Sequence, residues 1–363
     1  MTPLKALLVG TGVIAPQHVI GLRAQTVTPV EIVGAVDPLT ERLDAFRAEH
    51  DIPAGFASLE EALEQVQPDL VHLSTPPFTH TPQVIAALEA GAWVLCEKPL
   101  CGSLAELDEI AAVEARSPGH CVSICQWRFG AAGRHMKSLV ESGSLGRLLT
   151  GVCQTLFYRD QAYYDVAWRG RWETELGGAT TTNGIHALDF LLSMQGDWDE
   201  VSAMIGTLNH EIEVEDVAMG TIRFGSGAIV SVGAATVSPR QATYIRFDYE
   251  RATVEVDGRY WYGNDDWRFT PAPDRDDAPT WAPQANYDAT HTAQLTEVLR
   301  SRVAGEVPEA TPADMRSTLE LLAAIYKSAA TGAIVRRGEI GPEDPFYRGV
   351  AAGMASVPAG AVG

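Results

Sequence analysis

Residues 4–15 read LKALLVGTGVIA, and this stretch decides the fold. Its apolar first half predicts a buried strand, and its second half carries a G-x-G-x-x-A pattern where a helix should begin. In that position Gly10 permits a tight turn, Gly12 lets the backbone approach a pyrophosphate, and Ala15 is small enough for close packing of helix on strand. The pattern predicts a dinucleotide-binding unit, with an ordinary strand–helix turn as the alternative.

Short apolar runs alternate with amphipathic stretches from the start of the chain to about Ser123. The predicted strands are Leu4–Val9, Val30–Val36, Leu70–Ser74, Trp93–Cys96 and Cys121–Ile124. The predicted helices are Thr11–Ala24, Leu39–Glu49, Ser58–Glu64, Thr81–Glu89 and Ser103–Ala115. Because strands that alternate with helices form parallel sheets with right-handed crossovers, this half is predicted to be an α/β Rossmann domain.

The pattern changes after a helix predicted near Arg134–Glu141. Consecutive strands follow, at Leu148–Tyr158, Val201–Leu208, Val217–Phe224, Ala228–Ala235, Thr243–Tyr249 and Ala252–Val256. Fewer helices are predicted here, at Gly184–Met194, Thr290–Arg302 and Pro312–Thr331, and Asn264–Pro283 is predicted to be a long loop. This order is typical of an α+β domain with a mostly antiparallel sheet.

Three segments follow from this division. Residues 1–125 are predicted to form the nucleotide-binding domain, and residues 126–340 the α+β domain that binds the substrate and mediates oligomerisation. Residues 341–363 are predicted to be a Gly/Ala/Pro-rich tail, partly disordered.

The composition excludes several classes of protein. The 363 residues are 46% hydrophobic and 20% charged, as in a globular chain. A net charge of -20 argues against nucleic acid and anionic membranes as partners. The odd count of five cysteines does not resemble a disulfide scaffold, and no metal site is predicted because Cys121 and Cys125 lack further ligands nearby. Without a signal peptide or an apolar span of membrane length, a cytoplasmic location is expected.

Asp37 ends the second predicted strand. A carboxylate there can accept hydrogen bonds from the ribose hydroxyls of the adenosine, and it would repel the extra phosphate of NADP. The alternative is a helix N-cap, and the two roles are compatible. The cofactor is predicted to be NAD, although Arg42, one turn later, leaves room for NADP.

Two loops follow neighbouring strands at the edge where ligands bind in such sheets. Glu97-Lys98-Pro99 comes directly after the strand at Trp93–Cys96, and the segment from Ser74 to His80 follows the preceding strand. Taken alone, a lysine at a strand end is more often a solvated surface charge than a catalytic group.

Together these segments resemble the Gfo/Idh/MocA oxidoreductases, which include glucose-fructose oxidoreductase, inositol dehydrogenases and many sugar dehydrogenases. The resemblance covers nearly the whole chain and rests on GTG at 10–12, STP at 74–76 with His80, Glu97-Lys98-Pro99, and the stretch from Gly177-Gly178 to Gly184-Ile185-His186. It implies an NAD(P)-dependent dehydrogenase or reductase that acts on a CH–OH carbon of a sugar, sugar derivative or cyclitol. It also implies a second domain whose open-faced sheet mediates homodimer or homotetramer contacts.

The resemblance assigns roles to individual residues. Lys98 would stabilise alkoxide charge, Glu97 would shape its loop, Pro99 would fix the path of the loop through a cis bond, and His186 would be the general acid/base. The residues expected to bind the cofactor are Gly10, Gly12, Val13, Ile14, Asp37, Ser74, Thr75, Pro76, His80, Glu97, Lys98 and Gln126.

The chain departs from the family at one catalytic position. Many members carry Asp four residues before the histidine, where this chain has Thr182. A threonine forms hydrogen bonds but accepts no proton at neutral pH, so the proton relay and the substrate class are both in question. Asp189, one turn after His186, is expected to orient that histidine or to bond backbone in the core.

Substrate contacts are expected from an aromatic and basic cluster and from its neighbours in the family pattern. Aromatic faces stack on sugar rings, and arginine binds hydroxyls or carboxylates. The candidates are Arg128, Tyr163, Trp168, Arg169, Asn183 and His186. The alternative for the aromatic residues is that they fill the core.

Two other functions remain open beside the dehydrogenase. Some relatives retain NAD and oxidise a sugar only transiently while cleaving a glycoside, and Thr182 motivates that reading. A few relatives are non-catalytic dinucleotide-binding sensors. Lys98 and His186 argue against the sensor, which ranks last.

Overall fold

The computed structural model describes residues 2–277 and 279–356. The chain divides into two compact units. The first comprises residues up to Gly102, together with Glu106–Ile124 and His291–Met315. The second comprises Ser103–Ala105, Cys125–Thr290 and the residues from Arg316 onward.

The first unit contains a six-stranded sheet in which every pairing is parallel. Its strands are β1 (Leu4–Val9), β2 (Val30–Val36), β3 (Ala54–Phe56), β4 (Leu70–Leu73), β5 (Trp93–Cys96) and β6 (Cys121–Ser123), in the spatial order β3-β2-β1-β4-β5-β6. The helices between them are α1 (Ala15–Arg23), α2 (Thr40–Glu49), α3 (Leu59–Val66), α4 (His80–Glu89) and α5 (Leu104–Glu114).

The central strands of this sheet are apolar runs rather than alternating sequences. All four residues of β4 and all four of β5 are buried, as expected for strands covered on both faces. His72 is the polar exception in β4, and it is only 1% exposed. Because β1, β4 and β5 all run in the same direction, the loops that follow them meet at one edge of the sheet.

The second unit contains an eight-stranded sheet in the order β13-β12-β11-β7-β10-β9-β8-β14. Its strands are β7 (Leu148–Tyr158), β8 (Trp198–Gly206), β9 (Val217–Phe224), β10 (Ile229–Ala235), β11 (Val237–Tyr249), β12 (Ala252–Gly258), β13 (Trp267–Pro271) and β14 (Val335–Arg336). All pairings are antiparallel except that of β7 with β10. The remaining helices of the chain are α6 (Ala131–Glu141), α7 (Gln161–Tyr164), α8 (Trp172–Glu175), α9 (Ile185–Gln195), α10 (His291–Ala304), α11 (Pro312–Thr331) and α12 (Val350–Ala355), and α10 belongs to the first unit.

One face of the second sheet is buried and the other is open. Val201 in β8 and Ile222 in β9 are a buried cross-strand pair. Met204 and Met219 form a cross-strand pair that is 80% and 42% exposed. The prediction of a Rossmann domain followed by an α+β domain with a large, mostly antiparallel, open-faced sheet is confirmed.

Several local predictions were wrong. The segment Asn264–Pro283 is not one long loop, since Trp267–Pro271 pairs with β12 as β13. Its partner lies outside the segment, so the segment's own sequence could not reveal the pairing. In the predicted tail, Val350–Ala355 is helical, and residues 357–363 lie outside the described part of the chain.

Two further findings concern the assignment of one segment to a unit and the length of the helices. The segment His291–Met315, which the sequence analysis assigned to the second domain, belongs to the first unit. Among the described residues, no helix is both long and apolar enough to cross a membrane.

Candidate active site

The glycine loop after β1 has the geometry that the sequence predicts. Gly10 has a φ of +86°, and a Cβ there would lie 2.7 Å from the carbonyl oxygen of Ser74, so only glycine fits. A Cβ at Gly12, in contrast, would meet no atom within 4 Å. The neighbouring Val13 is fully exposed. The loop therefore leaves open space in front of its backbone.

The backbone amides of this loop suit a phosphate group. Among the described residues, no hydrogen bond engages the N–H groups of Gly12, Val13 or Ile14, which precede α1. Unpaired N–H groups at a helix N-terminus carry partial positive charge and bind anions. The residues at this loop therefore fit the pyrophosphate of a dinucleotide.

Asp37 lies at the end of β2, beside the glycine loop. It accepts hydrogen bonds from the backbone N–H and the hydroxyl of Thr11 at 3.0 and 2.7 Å. It also accepts one from the N–H of Leu39 at 3.0 Å. Helix α2 starts at Thr40 and its N-cap is Leu39, so Asp37 fixes the turn before the helix and is not the N-cap residue.

The segment after β4 is tied to the glycine loop and to the loop after β5. The hydroxyl of Ser74 lies 2.8 Å from the carbonyl oxygen of Gly10. His80 is fully buried, with Nδ1 2.7 Å from the carbonyl oxygen of Pro99 and Nε2 2.9 Å from that of Thr75. Burial lowers the pKa of His80, and a neutral ring donates to one of these carbonyls. His80 thus joins two loops of the predicted cofactor site through its ring.

Glu97 places a buried carboxylate beside Lys98. Its Oε1 atom lies 3.3 Å from Nε2 of His18 in α1 and 2.8 Å from Nε2 of His291 in α10. Its Oε2 atom accepts a hydrogen bond from the backbone N–H of Lys98 at 3.2 Å. Burial opposes ionisation of Glu97, but the hydrogen bonds from the two imidazoles outweigh it and hold the pKa of the carboxyl well below its usual value. The Lys98–Pro99 peptide bond is cis.

A second buried histidine extends this network. Nδ1 of His72 lies 3.0 Å from Nδ1 of His18. Since His18 donates through Nε2 to Glu97, its Nδ1 is an acceptor and His72 donates to it; the hydrogen-bond network determines this assignment. Nε2 of His72 is buried and, within the described residues, has no partner. Burial lowers the pKa of His18 and holds that of His72 well below its usual value.

The donor atoms of His18, Glu97 and His291 lie within 4.8 Å of one another and could hold a metal ion. Hydrogen bonds to Glu97 already satisfy the two facing imidazole nitrogens. The expectation that the chain binds no metal therefore remains a prediction.

In the second unit, a glycine pair and a buried carboxylate shape the segment before α9. A Cβ at Gly178 would lie 1.8 Å from the carbonyl oxygen of Glu215, so the close approach requires glycine. The side chain of Glu215 accepts hydrogen bonds from the N–H groups of Gly178 and Thr180 at 2.9 Å each, and from the hydroxyl of Tyr326 at 3.0 Å. Burial raises the pKa of Glu215 despite these bonds.

A π-helical turn over Thr180–Gly184 then leads into α9. Such turns are rare and are often found at functional sites. The hydroxyl of Thr182 donates to the carbonyl of Gly178 at 2.8 Å and accepts from the side-chain amide of Asn183 at 3.1 Å. His186, in the first turn of α9, is half-buried. Because its single proton is bonded to backbone, Thr182 does not reproduce the carboxylate that many family members carry at this position.

Asp189 and Arg128 form an ion pair within the second unit. Nε of Arg128 donates to Asp189 at 2.7 Å, and its Nη2 atom contacts the second carboxylate oxygen. The hydroxyl of Thr318 donates to Asp189 at 3.1 Å. Asp189 therefore orients Arg128, which gives Arg128 a structural contact beside its predicted role toward the substrate.

Gln126 carries an orphaned polar atom. Its Oε1 is buried and has no hydrogen-bond partner in the part of the chain that the structure describes. A buried amide oxygen without a partner is costly unless a ligand or water satisfies it. That Gln126 binds the cofactor stays a prediction.

The structure brings the predicted aromatic and basic cluster together. The guanidinium of Arg169 lies 3.9 Å from the ring centre of Tyr163 and 4.2 Å from that of Trp168. The same guanidinium lies 3.1 Å from the buried carboxylate of Glu175. The cluster is therefore held in place by a buried charge that the sequence analysis did not identify.

His18, His72, His291 and Glu215 were not among the predicted site residues. The three histidines of the Glu97 network are separated from one another by 54 to 273 positions in sequence, and no local spacing connects them. One feature of the sequence could have indicated two of them. His18 and His72 are polar residues inside a helix and a strand whose other residues are predicted to be buried.

The first unit has a parallel sheet with an open glycine loop, and the second carries a half-buried histidine after a π turn. These features define a two-domain dinucleotide-binding protein. Comparison with known families agrees. A model described as an oxidoreductase family with an NAD-binding Rossmann fold matches residues 4–124, and the GFO/IDH/MocA C-terminal domain matches residues 134–259. The chain belongs to the Gfo/Idh/MocA oxidoreductase family, and its first domain is the NAD-binding domain of that family.

Similar proteins include a reductase and a dehydrogenase. The chain is 32% identical to 1,5-anhydro-D-fructose reductase of Ensifer adhaerens over 61% of its own length and 66% of the relative's. It is 28% identical to trans-1,2-dihydrobenzene-1,2-diol dehydrogenase of Bos taurus over 61% and 64%. The chain thus spans slightly less than two thirds of the length of these relatives.

A solved structure extends over more of the chain. The WlbA dehydrogenase from Bordetella pertussis, in complex with NADH and UDP-GlcNAcA, superposes with a TM-score of 0.80 at 28% identity. The superposition covers 92% of this chain and 99% of that one.

The buried histidines predict a pH-dependent stability. The folded-state pKa of His72 is below its unfolded value near 6.5, so only the unfolded chain gains a proton there as the pH falls below 6.5. The free energy of unfolding should then fall by about 1.4 kcal/mol per pH unit for this group, and this dependence should vanish above pH 6.5. Urea unfolding between pH 8 and pH 5 measures the slope.

The matched variant is His72→Gln, which keeps an N–H donor but does not titrate. We expect a constant difference from the wild type at pH 7.5 to 8 and a smaller slope for the variant below pH 6.5. Parallel stability curves over the whole range would contradict the prediction.

Proposed function

We propose that this chain is an NAD(P)-dependent dehydrogenase or reductase that transfers a hydride between nicotinamide and a hydroxyl-bearing carbon of a sugar, sugar derivative or cyclitol. The observation that carries the proposal is the Glu97-Lys98-Pro99 loop at the carboxyl end of β5 in an NAD-binding domain, where hydrogen bonds from two imidazoles keep Glu97 ionised. A catalytic lysine benefits from a rigid loop, because electrostatic catalysis depends on charges that are held in position before the reaction.

Two side chains supply the proton and charge chemistry in this proposal. When the cofactor is bound, its nicotinamide ring accepts or gives the hydride. The ammonium of Lys98 stabilises the alkoxide charge that develops on the substrate oxygen. His186 takes the hydroxyl proton during oxidation and returns it during reduction. Its half-buried position in the first turn of α9 suits an imidazole that must exchange protons.

The substrate class follows from the cluster in the second unit and from the relatives. The cluster of Tyr163, Trp168 and Arg169 offers aromatic faces for a sugar ring and a guanidinium for hydroxyl or carboxylate oxygens. Relatives include a reductase of an anhydro-sugar and a dehydrogenase bound to UDP-GlcNAcA. Asn183 adds a side-chain amide beside these groups, and Arg159 lies 3.4 Å from its oxygen.

A second candidate is an enzyme that retains NAD and cleaves a glycoside through transient oxidation. The observation that favours it is Thr182, which donates a hydrogen bond to the carbonyl of Gly178 and, unlike the carboxylate of many family members, accepts no proton at neutral pH. Release of an aglycone without accumulation of NADH would support this candidate. A non-catalytic sensor ranks last, because Lys98 and His186 are both present.

We also propose a cytoplasmic homo-oligomer, either a dimer or a tetramer. All five cysteines are buried free thiols, which suits a reducing compartment. The open face of the second sheet presents Met204, Met219 and Ile229, which are 80%, 42% and 42% exposed. Met204 and Met219 are neighbours across β8 and β9, and exposed apolar side chains of this kind favour contact with a second copy of this face.

Activity is the first test of the proposal. With NAD or NADP and a panel of sugars, sugar acids and cyclitols, we expect reduced cofactor to accumulate for one substrate class, measured at 340 nm. Lys98→Ala and His186→Ala should each lower kcat/KM by about 10²–10⁴-fold, because each removes charge or proton transfer in the transition state.

Lys137→Ala is the matched control, since Lys137 is a half-buried lysine of α6, 4.0 Å from Glu141, that has no role in the proposed mechanism. It should retain wild-type activity, and all three variants should melt within a few degrees of the wild type. Full activity in folded Lys98→Ala protein would refute the proposed mechanism.

The assembly has its own test. We expect the mass in light scattering to be a multiple of the chain mass, and we expect Met204→Glu combined with Met219→Glu to yield monomers, because charges buried in an interface are unpaired. A wild-type monomer at micromolar concentration would contradict the proposed assembly.

A further inference from the structure

Arg159 directly follows β7 and carries a positive charge that is not used within the second unit. In the part of the chain that the structure describes, it forms no ion pair, whereas Arg128 and Arg169 each pair with a buried carboxylate. The charge of those two arginines is thus already balanced. In a chain whose net charge is -20, Arg159 is a cation that remains available to an anionic ligand.

The backbone of Arg159 is held at both of its polar groups. Its N–H donates to the carbonyl of Thr236 at 2.9 Å, and its carbonyl accepts from Nε2 of His210 at 2.9 Å. The other ring nitrogen of His210 lies 3.0 Å from the buried carboxylate of Asp216. The position from which the guanidinium extends is therefore fixed before any ligand binds.

Aromatic rings surround the guanidinium without neutralising it. Its central carbon lies 5.0, 5.3 and 5.9 Å from the ring centres of Tyr163, Phe157 and Tyr260. Nη1 donates to the carbonyl of Tyr158 at 3.0 Å, and Nε is buried with no partner among the described residues. Rings at such distances attract and orient a cation, but they carry no net charge. A half-buried charge without a counter-ion is costly, and a bound anion would offset that cost.

Arg159 lies beside the turn that leads to His186. Its Nη2 atom is 3.4 Å from the side-chain oxygen of Asn183, in the π turn over Thr180–Gly184. His186 follows Asn183 by three positions, at the start of α9. Because side chains three positions apart on a helix are neighbours, a six-carbon sugar acid can contact both Arg159 and His186.

We propose that Arg159 binds a carboxylate on the substrate, so that this chain acts on a sugar acid, either a uronate or an aldonate, in preference to the uncharged sugar. The proposal rests on the proposed function, since it requires a hydroxyl compound beside His186. A carboxylate suits this residue because its two oxygens accept hydrogen bonds from neighbouring N–H groups of one guanidinium. Arg159 was not among the predicted site residues, and here it determines specificity.

Matched substrates test the role of the charge. Six-carbon uronates and aldonates are each compared with their uncharged amides, with NAD and NADP as oxidants, and the reduced cofactor is followed at 340 nm. For the wild type we expect kcat/KM to be about 10- to 100-fold higher for an acid than for its amide, because only the acid forms a charge-assisted pair with Arg159.

Arg159→Met removes the charge and keeps an unbranched side chain. We expect kcat/KM for the acid to fall about 10- to 100-fold and that for the amide to change less than threefold. The loss should appear mainly in KM, because the carboxylate is bound alike in the ground state and in the transition state. Arg159→Lys keeps a charge without the fork of donors, so it should retain only part of the preference.

Arg147→Met is the matched control. Arg147 is an exposed arginine of the same unit, 2.8 Å from Glu250, and it has no role in the proposal. Its loss should leave the preference for acids unchanged, and all variants should melt within a few degrees of the wild type.

Binding provides a second readout that does not depend on turnover. The same uronates and aldonates are titrated into protein saturated with NADH, and the heat of binding is measured. We expect the dissociation constant to rise about tenfold or more in Arg159→Met and to stay constant in Arg147→Met.

The outcomes separate the two proposals. Turnover of the amides that equals or exceeds that of the acids would overturn the carboxylate site and leave the dehydrogenase intact. A preference for acids that survives in Arg159→Met, or an equal loss for acid and amide, would also overturn the site. Sugar acids that bind through Arg159 without forming reduced cofactor would support the site and count against the proposed function. Neither binding nor turnover of any sugar in folded protein would refute both.

Discussion

The buried carboxylate of Glu97 is the constraint on which the candidate site depends. An ionised carboxylate in a protein interior is costly unless hydrogen bonds satisfy it, and here His18, His291 and the N–H of Lys98 do so. Each donor comes from a different place in the first unit: α1, α10 and the loop after β5. The charge can therefore be accommodated only when all three have been brought together, and the loop that carries Lys98 is fixed as a consequence.

The same principle operates in the second unit. Glu215 is buried among backbone N–H groups and the hydroxyl of Tyr326, and it anchors the turn that leads to His186. Glu175 holds Arg169, and Asp189 holds Arg128. Residues proposed to act on the substrate are thus held by buried carboxylates that belong to the scaffold, which keeps the reactive groups in position.

The sequence predicted the boundaries of many strands well, because local residue patterns specify them. The ends of β1, β2, β5, β7 and β9 agree with the predicted ones, since apolar runs or apolar–polar alternation mark these strands locally. Helix α1 begins at Ala15 rather than Thr11, because the glycine loop occupies the first positions. Strand β13 and the contact of His291 with Glu97 depend on partners elsewhere in the chain, and local patterns carry no information about them. The site residues were predicted through the family resemblance, whereas the histidine network around Glu97 became visible only in three dimensions.

The central claim is that this scaffold supports direct hydride transfer at the nicotinamide. Single-turnover reactions with NADH that carries deuterium at both C4 positions of the nicotinamide, mixed with a panel of keto-sugars and analysed by mass spectrometry, test that claim most directly. We expect one deuterium to appear on the new carbinol carbon and one to remain at C4 of the NAD produced. Tight binding of NADH with no deuterium transferred to any keto-sugar would contradict it.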